Sequence, residues 1–248
     1  LKGHTEQVSD VAFSPSGDQV ASASFDNTVR SWDSHTGNNI LVLQGHTLWV
    51  QSVAYSPDGL NIVSGGLDGE IRICNTHSGQ VGLVLKNGRG AVYCVAYSSD
   101  GHCIAVGNGI GELQLWDSKT GTSGRQWRGH KSFVIAVDFS PDSKWIASSS
   151  DDCTVKLWDV HTGTLVSAFA GHTGWIRTLA FSLDGQWLAS GSDDATVRLW
   201  CARSGTPGRV FSGHSDWVKR VTFSPCGLKV ASGSDDGTVR VLDIGTGE

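Results

Sequence analysis

The chain predicts an all-β fold of six units with four antiparallel strands each, the last unit short of its outer strand. Three observations carry this expectation. One pattern recurs at an unbroken period of 42 residues, opening at Gly3-His4, Gly45-His46, Gly129-His130, Gly171-His172 and Gly213-His214, with Asn87-Gly88 as the degenerate sixth copy. A second column stands 28 residues after each His position and reads Trp32, Cys74, Trp116, Trp158, Trp200 and Leu242. Within each period the apolar residues alternate, which leaves little room for a helix. The repeats run over 1–42, 43–84, 85–126, 127–168, 169–210 and 211–248. They are expected to form one domain over 1–248, because each repeat must bury its apolar face against the next.

The second repeat shows how one unit is built. Val50, Val53 and Tyr55 open a first strand, and Ser56-Pro57-Asp58-Gly59 turns it, with Pro presetting φ and Gly supplying conformational freedom. A second strand runs from Ile62 to Gly65, and Asp68-Gly69 leads into a third that alternates through Ile71 and Ile73. Ser78-Gly79 then turns the chain into a more polar fourth strand ending at Leu85. The core columns hardly vary: one reads Phe13, Tyr55, Tyr97, Phe139, Phe181, Phe223 and another Val29, Ile71, Leu113, Val155, Val197, Val239.

A period in the forties that opens with Gly-His and closes with Trp-Asp is the sequence form of a β-propeller blade. The Gly-His opening, the Ser-Pro-Asp-Gly turn and the Trp-Asp ending resemble the WD-repeat family over the whole chain. The low divergence between copies is also similar to the repeat arrays at the end of large fungal and bacterial signalling ATPases. In the WD-repeat family the outermost strand of a blade follows its Trp-Asp, and strands from both termini close the last blade. Leu1-Lys2 is only the tail of such a strand, and Gly247-Glu248 ends before another forms. Either six blades close with one of three strands, or a further blade or closing strand lies outside this chain. The chain lacks Met and starts mid-motif, so an excised or processed piece of a longer protein is expected.

The net charge of −5 carries no global electrostatic signature for nucleic acid, and no stretch reads as a membrane span or secretory signal. Cys74, Cys94, Cys103, Cys153, Cys201 and Cys226 occupy six different columns without a Cys-X-X-Cys pair. Neither a metal knuckle nor a disulfide framework is indicated, and reduced thiols in a cytoplasmic protein are expected. No cofactor is indicated, and no Gly-X-X-X-X-Gly-Lys-Ser/Thr phosphate loop occurs.

Five of the six repeats offer His, Ser and Asp in the same columns, the components of a hydrolase triad. The sets are His4, Ser22, Asp26, Trp32; His46, Ser64, Asp68; His130, Ser148, Asp152, Trp158; His172, Ser190, Asp194, Trp200; and His214, Ser232, Asp236. The WD-repeat resemblance implies a different role: a buried chain from indole to hydroxyl to imidazole to carboxylate within each blade. A catalytic site needs one constellation, not five spread over a repeat, so a structural role is expected and no enzyme activity. The third repeat has Gly88, Val106 and Ile110 at the His, Ser and Asp positions and keeps only Trp116. Its blade is therefore expected to be the least rigid, with faster amide exchange than blades four and five. His35, His77 and His161 stand a full repeat apart in turns, too far to converge on a metal. The column Arg30, Arg72, Gln114, Lys156, Arg198, Arg240 is basic in five of six repeats. It is expected to lay its stems on apolar neighbours and reach water or a carboxylate, not to line up phosphates.

The variable columns carry the functional signal. The position before the first-strand Val reads Gln7, Trp49, Ala91, Phe133, Trp175, Trp217, and the one after it Ser9, Gln51, Tyr93, Ile135, Arg177, Lys219. The WD-repeat resemblance implies that both line the top face, where peptides are gripped. A third column just before the Asp of each set reads Phe25, Leu67, Gly109, Asp151, Asp193, Asp235. Aromatics and Arg gathered on a rim have the composition of interface hot spots. The candidate binding set is Trp49, Tyr93, Phe133, Trp175, Arg177, Trp217, Lys219, Asp151, Asp193 and Asp235. Two arrangements are open: Trp175 and Trp217 hold an apolar anchor while a partner's base meets Asp193 or Asp235, or Arg177 and Lys219 pair with the acids internally. A protein-interaction scaffold is the leading functional expectation. An autoinhibitory or sensor module of a signalling ATPase comes next, and a propeller hydrolase after it.

Overall fold

A computed structural model describes residues 1–88 and 90–247. All of its regular elements are β-strands, 23 among the described residues, gathered into five four-stranded sheets and one three-stranded sheet. Each sheet is an antiparallel meander of one repeat, and the sixth blade has three strands, as its missing outer strand predicts. The chain divides into two compact units, Leu1–Gln126 and Trp127–Glu248.

The turn chemistry of the repeat accounts for the strand ends. At Ser56-Pro57-Asp58-Gly59 the Gly59 N–H donates to the Ser56 carbonyl at 2.9 Å, and Asp58 accepts from the Ser56 hydroxyl and the Leu60 N–H. Gly59 has φ of 73°, which a side chain resists. The Asp of Trp-Asp caps the turn that follows: Asp33 Oδ1 accepts from the Thr36 N–H at 2.7 Å, the Thr36 hydroxyl at 2.8 Å and the His35 N–H at 3.0 Å. The turn between second and third strands places Gly69, Gly111 and Gly237 at φ of 76°, 82° and 79°. Asn27, Cys153 and Ala195 take the same left-handed position, with φ of 66°, 64° and 63°. A side-chained residue there costs about 1–2 kcal/mol. Ala195→Gly should therefore raise the unfolding free energy by about 1 kcal/mol in a denaturant titration.

In the first unit the core lies between successive blades. Val29 and Leu43 of blade one meet Val50, Val53, Tyr55 and Ile62 of blade two, and Ile71, Ile73 and Leu85 meet Val92, Val95 and Ile104. Polar side chains stitch neighbouring first strands: Asp10 Oδ2 accepts from the Ser52 hydroxyl at 3.0 Å and the Val53 N–H at 3.1 Å. The second unit repeats the scheme, with Val155, Leu157 and Phe169 against Ile176, Leu179 and Phe181, then Val197, Leu199 and Phe211 against Val218, Val221 and Val230. There Thr178 Oγ1 accepts from the Val221 N–H at 3.3 Å.

Two positions depart from their columns. Phe13 of blade one is 67% exposed, against 8% for Tyr55. Val239 of blade six is 74% exposed, against 1% for Val197. The apolar pattern thus continues onto one bare face of blade one and one of blade six.

Candidate functional site

The five His-Ser-Asp sets are continuous hydrogen-bonded chains. In blade five Trp200 Nε1–H donates to Ser190 Oγ at 2.9 Å, Ser190 meets His172 Nε2 at 2.8 Å, and His172 Nδ1 meets Asp194 Oδ2 at 2.8 Å. Asp194 can only accept, which puts a proton on Nδ1, and the burial of the ring favours the neutral imidazole, with the Ser190 hydroxyl donating to Nε2. Asp194 also accepts from the Thr173 N–H, the Thr196 N–H and the Thr196 hydroxyl. Burial opposes its ionisation, but these donors and His172 outweigh it, so the carboxyl lies below its ordinary range. Burial also pushes His172 and His46 down, against the pull of Asp194 and Asp68. Blade one (His4, Ser22, Asp26, Trp32) and blade four (His130, Ser148, Asp152, Trp158) repeat the full chain. Blade two (His46, Ser64, Asp68) and blade six (His214, Ser232, Asp236) lack only the indole.

Blade three is not simply apolar. Val106 is buried where the Ser would stand, and the Trp116 indole N–H is buried without a hydrogen-bond partner. A different polar set stands beside it: the buried Asn108 accepts at Oδ1 from the Ile110 and Glu112 N–H groups, and the exposed Gln126 donates to the buried Glu112 at 2.7 Å. Sequence reasoning missed Glu112 and Gln126. The signal was Glu at a position where blades one, four, five and six carry Thr.

The glycine of Gly-His packs against the basic column and the Trp of its own blade. A Cβ on Gly171 would lie 2.7 Å from Arg198 Nη1, and one on Gly213 would lie 2.8 Å from Arg240 Nη1. A Cβ on Gly3 would lie 2.9 Å from the Trp32 ring. Lys156 donates to the Gly129 carbonyl, and Arg72 Nε and Nη2 both donate to Glu70 Oε2, at 3.1 and 2.6 Å. Lys156 and Arg72 are thus engaged within their own blades, whereas Nε of Arg30 and of Arg198 is buried without a hydrogen-bond partner. His35, His77 and His161 lie exposed in turns, and no cluster able to hold a metal occurs among the described residues.

At the Gly-His end of each blade one backbone bond couples the variable columns. The N–H before the set's Asp donates to the carbonyl of the residue before the Val: Leu67 to Trp49 at 2.9 Å, Asp193 to Trp175 at 2.9 Å, Asp235 to Trp217 at 3.0 Å. Acid and aromatic are therefore neighbours by main-chain geometry. In the first unit Phe25 stacks on Trp49 with centroids 4.3 Å apart and planes 11° from parallel, while Trp49 stays 48% exposed. Tyr93 lies half-buried.

The second unit carries a ladder of rings and cations. Arg177 Nε and Nη2 hold both oxygens of Asp193 at 2.8 and 2.7 Å. The Arg177 guanidinium also lies 4.8 Å from the Trp175 ring and 5.2 Å from that of Trp217. Lys219 stands 4.8 Å from Trp217 and 3.1 Å from Asp235. Trp175 and Trp217 remain 46% and 43% exposed, and Phe133 40%. Of the two arrangements open in the sequence, the structure takes the internal pairing at Asp193 and Asp235. Asp151 has no such cation, and its Oδ1 is buried without a hydrogen-bond partner.

The repeated antiparallel blades, the Trp-Asp turns and the indole-to-carboxylate chains define a WD-type β-propeller protein. A family model, the IFT122 first β-propeller, matches residues 1–243, and the chain belongs to that family.

Proposed function

We propose that the chain is a non-catalytic interaction module that takes a protein partner at the Gly-His end of blades four to six. The exposed Trp175 and Trp217, braced by Arg177 between them, carry this reading. Two half-exposed indoles held in one position offer large contact area at little ordering cost, as interface anchors do. Core packing does not explain them, since Ala91 and Gln7 fill the same column. Membership of a propeller family accords with a scaffold role. A hydrolytic role is disfavoured because Ser190 is 0% exposed, and its oxygen is engaged by Trp200 and His172. The six cysteines, spread over six different columns with no Cys-X-X-Cys pair, accord with a reducing, cytoplasmic setting.

The test is affinity capture from cell lysate with wild type and with the Trp175→Ala/Trp217→Ala pair, their folding compared by circular dichroism. A partner retained by wild type and lost from the pair is the expected result, with affinity reduced at least about thirtyfold for two anchors of ~1–2 kcal/mol each. Equal capture by both proteins would move the binding surface elsewhere.

A further inference from the structure

Blades four, five and six repeat one motif, and blade four lacks one member of it. Blade five supplies an aromatic, Trp175, a cation, Arg177, and an acid, Asp193; blade six supplies Trp217, Lys219 and Asp235. Blade four supplies Phe133 and Asp151, joined by the same backbone bond at 3.3 Å, but Ile135 stands at the cation's position. The acid is thus left without the partner its siblings have. Asp151 Oδ1 is buried with no hydrogen bond, whereas both oxygens of Asp193 are held. A buried, unanswered acceptor is unfavourable, and more so when charged. The local field is negative as well: after burial, the Asp152, Asp151, Asp194 and Asp193 carboxylates all push the Cys153 thiol up.

The walls of the position are also repeated. Arg177 lies between the ring of its own blade and the ring of the next. The first strands Val134–Phe139 and Ile176–Phe181 pack as neighbours, as do Ile176–Phe181 and Val218–Phe223. One period back from Trp175 and Trp217, the corresponding walls are Phe133 and Trp175, both well exposed. We propose that blade four receives its missing cation from the partner: an arginine of an extended protein segment, stacked between Phe133 and Trp175 and paired with Asp151. This rests on the protein-binding reading above and names the chemistry recognised. Arginine fits better than lysine because a planar guanidinium can stack on two rings and still present a fork to one carboxylate. The Ile135 side chain would pack along its methylene stem.

Two nine-residue peptide libraries test this on the purified full chain. They are degenerate except at the centre, which is fixed as arginine in one and as uncharged, near-isosteric citrulline in the other. Wild type should retain the arginine library about tenfold over the citrulline library. Asp151→Asn should abolish the preference by removing the charge, and Ile135→Arg by filling the position from within. Ile135→Arg should also match or exceed the wild-type melting temperature, since it completes the motif of blade five, so its loss of preference is not a folding defect. Equal retention of both libraries by wild type, or a preference that survives both substitutions, would overturn the proposal. Should Trp175→Ala/Trp217→Ala lose the lysate partner while wild type shows no arginine preference, protein binding stands and the arginine site falls.

Discussion

His172→Ala should lower the unfolding free energy by about 4 kcal/mol, the largest loss expected from a single change in blade five. The imidazole is 6% exposed and sits between Ser190 and Asp194. Its removal strands the Ser190 hydroxyl and weakens the hold on a partly buried carboxylate, each worth about 1–3 kcal/mol, and leaves a cavity. Denaturant titration gives the total, and amide exchange should localise the loss to Ile176–Cys201. A loss under about 1 kcal/mol would mean that water replaces the ring. The same chain fixes a pH response. Burial holds His172 and His46 below their ordinary value, so below about pH 6.5 the unfolded chain binds protons that the folded one does not. Stability should therefore fall as pH drops through that value. Asp138 acts in the opposite sense: burial pushes it up to about 6 although the Phe181 and Phe139 N–H groups donate to it. Below that value the folded state takes up its proton first, so Asp138→Asn should steepen the acid-side decline.

Gly191→Ala and Gly233→Ala, the same column in adjacent blades, should differ by about 2 kcal/mol or more. A Cβ on Gly191 would stand 2.6 Å from Val218 Cγ1, 2.9 Å from Thr178 Cγ2 and 3.1 Å from Val221 Cγ1. Val218 and Val221 belong to the packed first strand of blade six and Thr178 to the first strand of blade five, so neither side can yield cheaply. A Cβ on Gly233 would meet nothing within 4 Å. There the alanine should be neutral or slightly stabilising, because it restricts the unfolded chain. Equal losses at both positions would show that strand conformation, not the approach of the next blade, selects glycine in this column.

The fold was legible because each blade obeys the same local rules. Alternation, the Ser-Pro-Asp-Gly turn and the Trp-Asp cap each specify geometry within a few residues, and their common period multiplies the signal. The indole-to-carboxylate chains were legible only through family resemblance, since nothing in the spacing of His172 and Asp194 alone says that they touch. The candidate surface was legible as a set of columns and less so as chemistry. The columns together with the family resemblance put Arg177, Lys219, Asp193 and Asp235 at one end of the blades, but the choice between internal pairs and a partner's charge depends on side-chain reach. Blade three shows a second limit: the loss of His, Ser and Asp was visible, while the bond from Gln126 to the buried Glu112 depends on a strand pairing that no column displays.

The stitches described above have a kinetic meaning. Each indole-to-carboxylate chain joins residues 10, 18 and 22 apart, and the bonds between neighbouring blades span 41 to 43. Loops this short close at modest entropic cost, so each blade can form on its own scale and grow onto the one before it. Such a chain behaves as a one-dimensional array in which structure starts at any blade and propagates. The same uniformity carries a hazard, because a strand of one repeat fits the partner strand of another almost as well. Refolding should pass through mispaired blades that are slow to release, and the divergent third repeat then acts as a marker that keeps its neighbours in step.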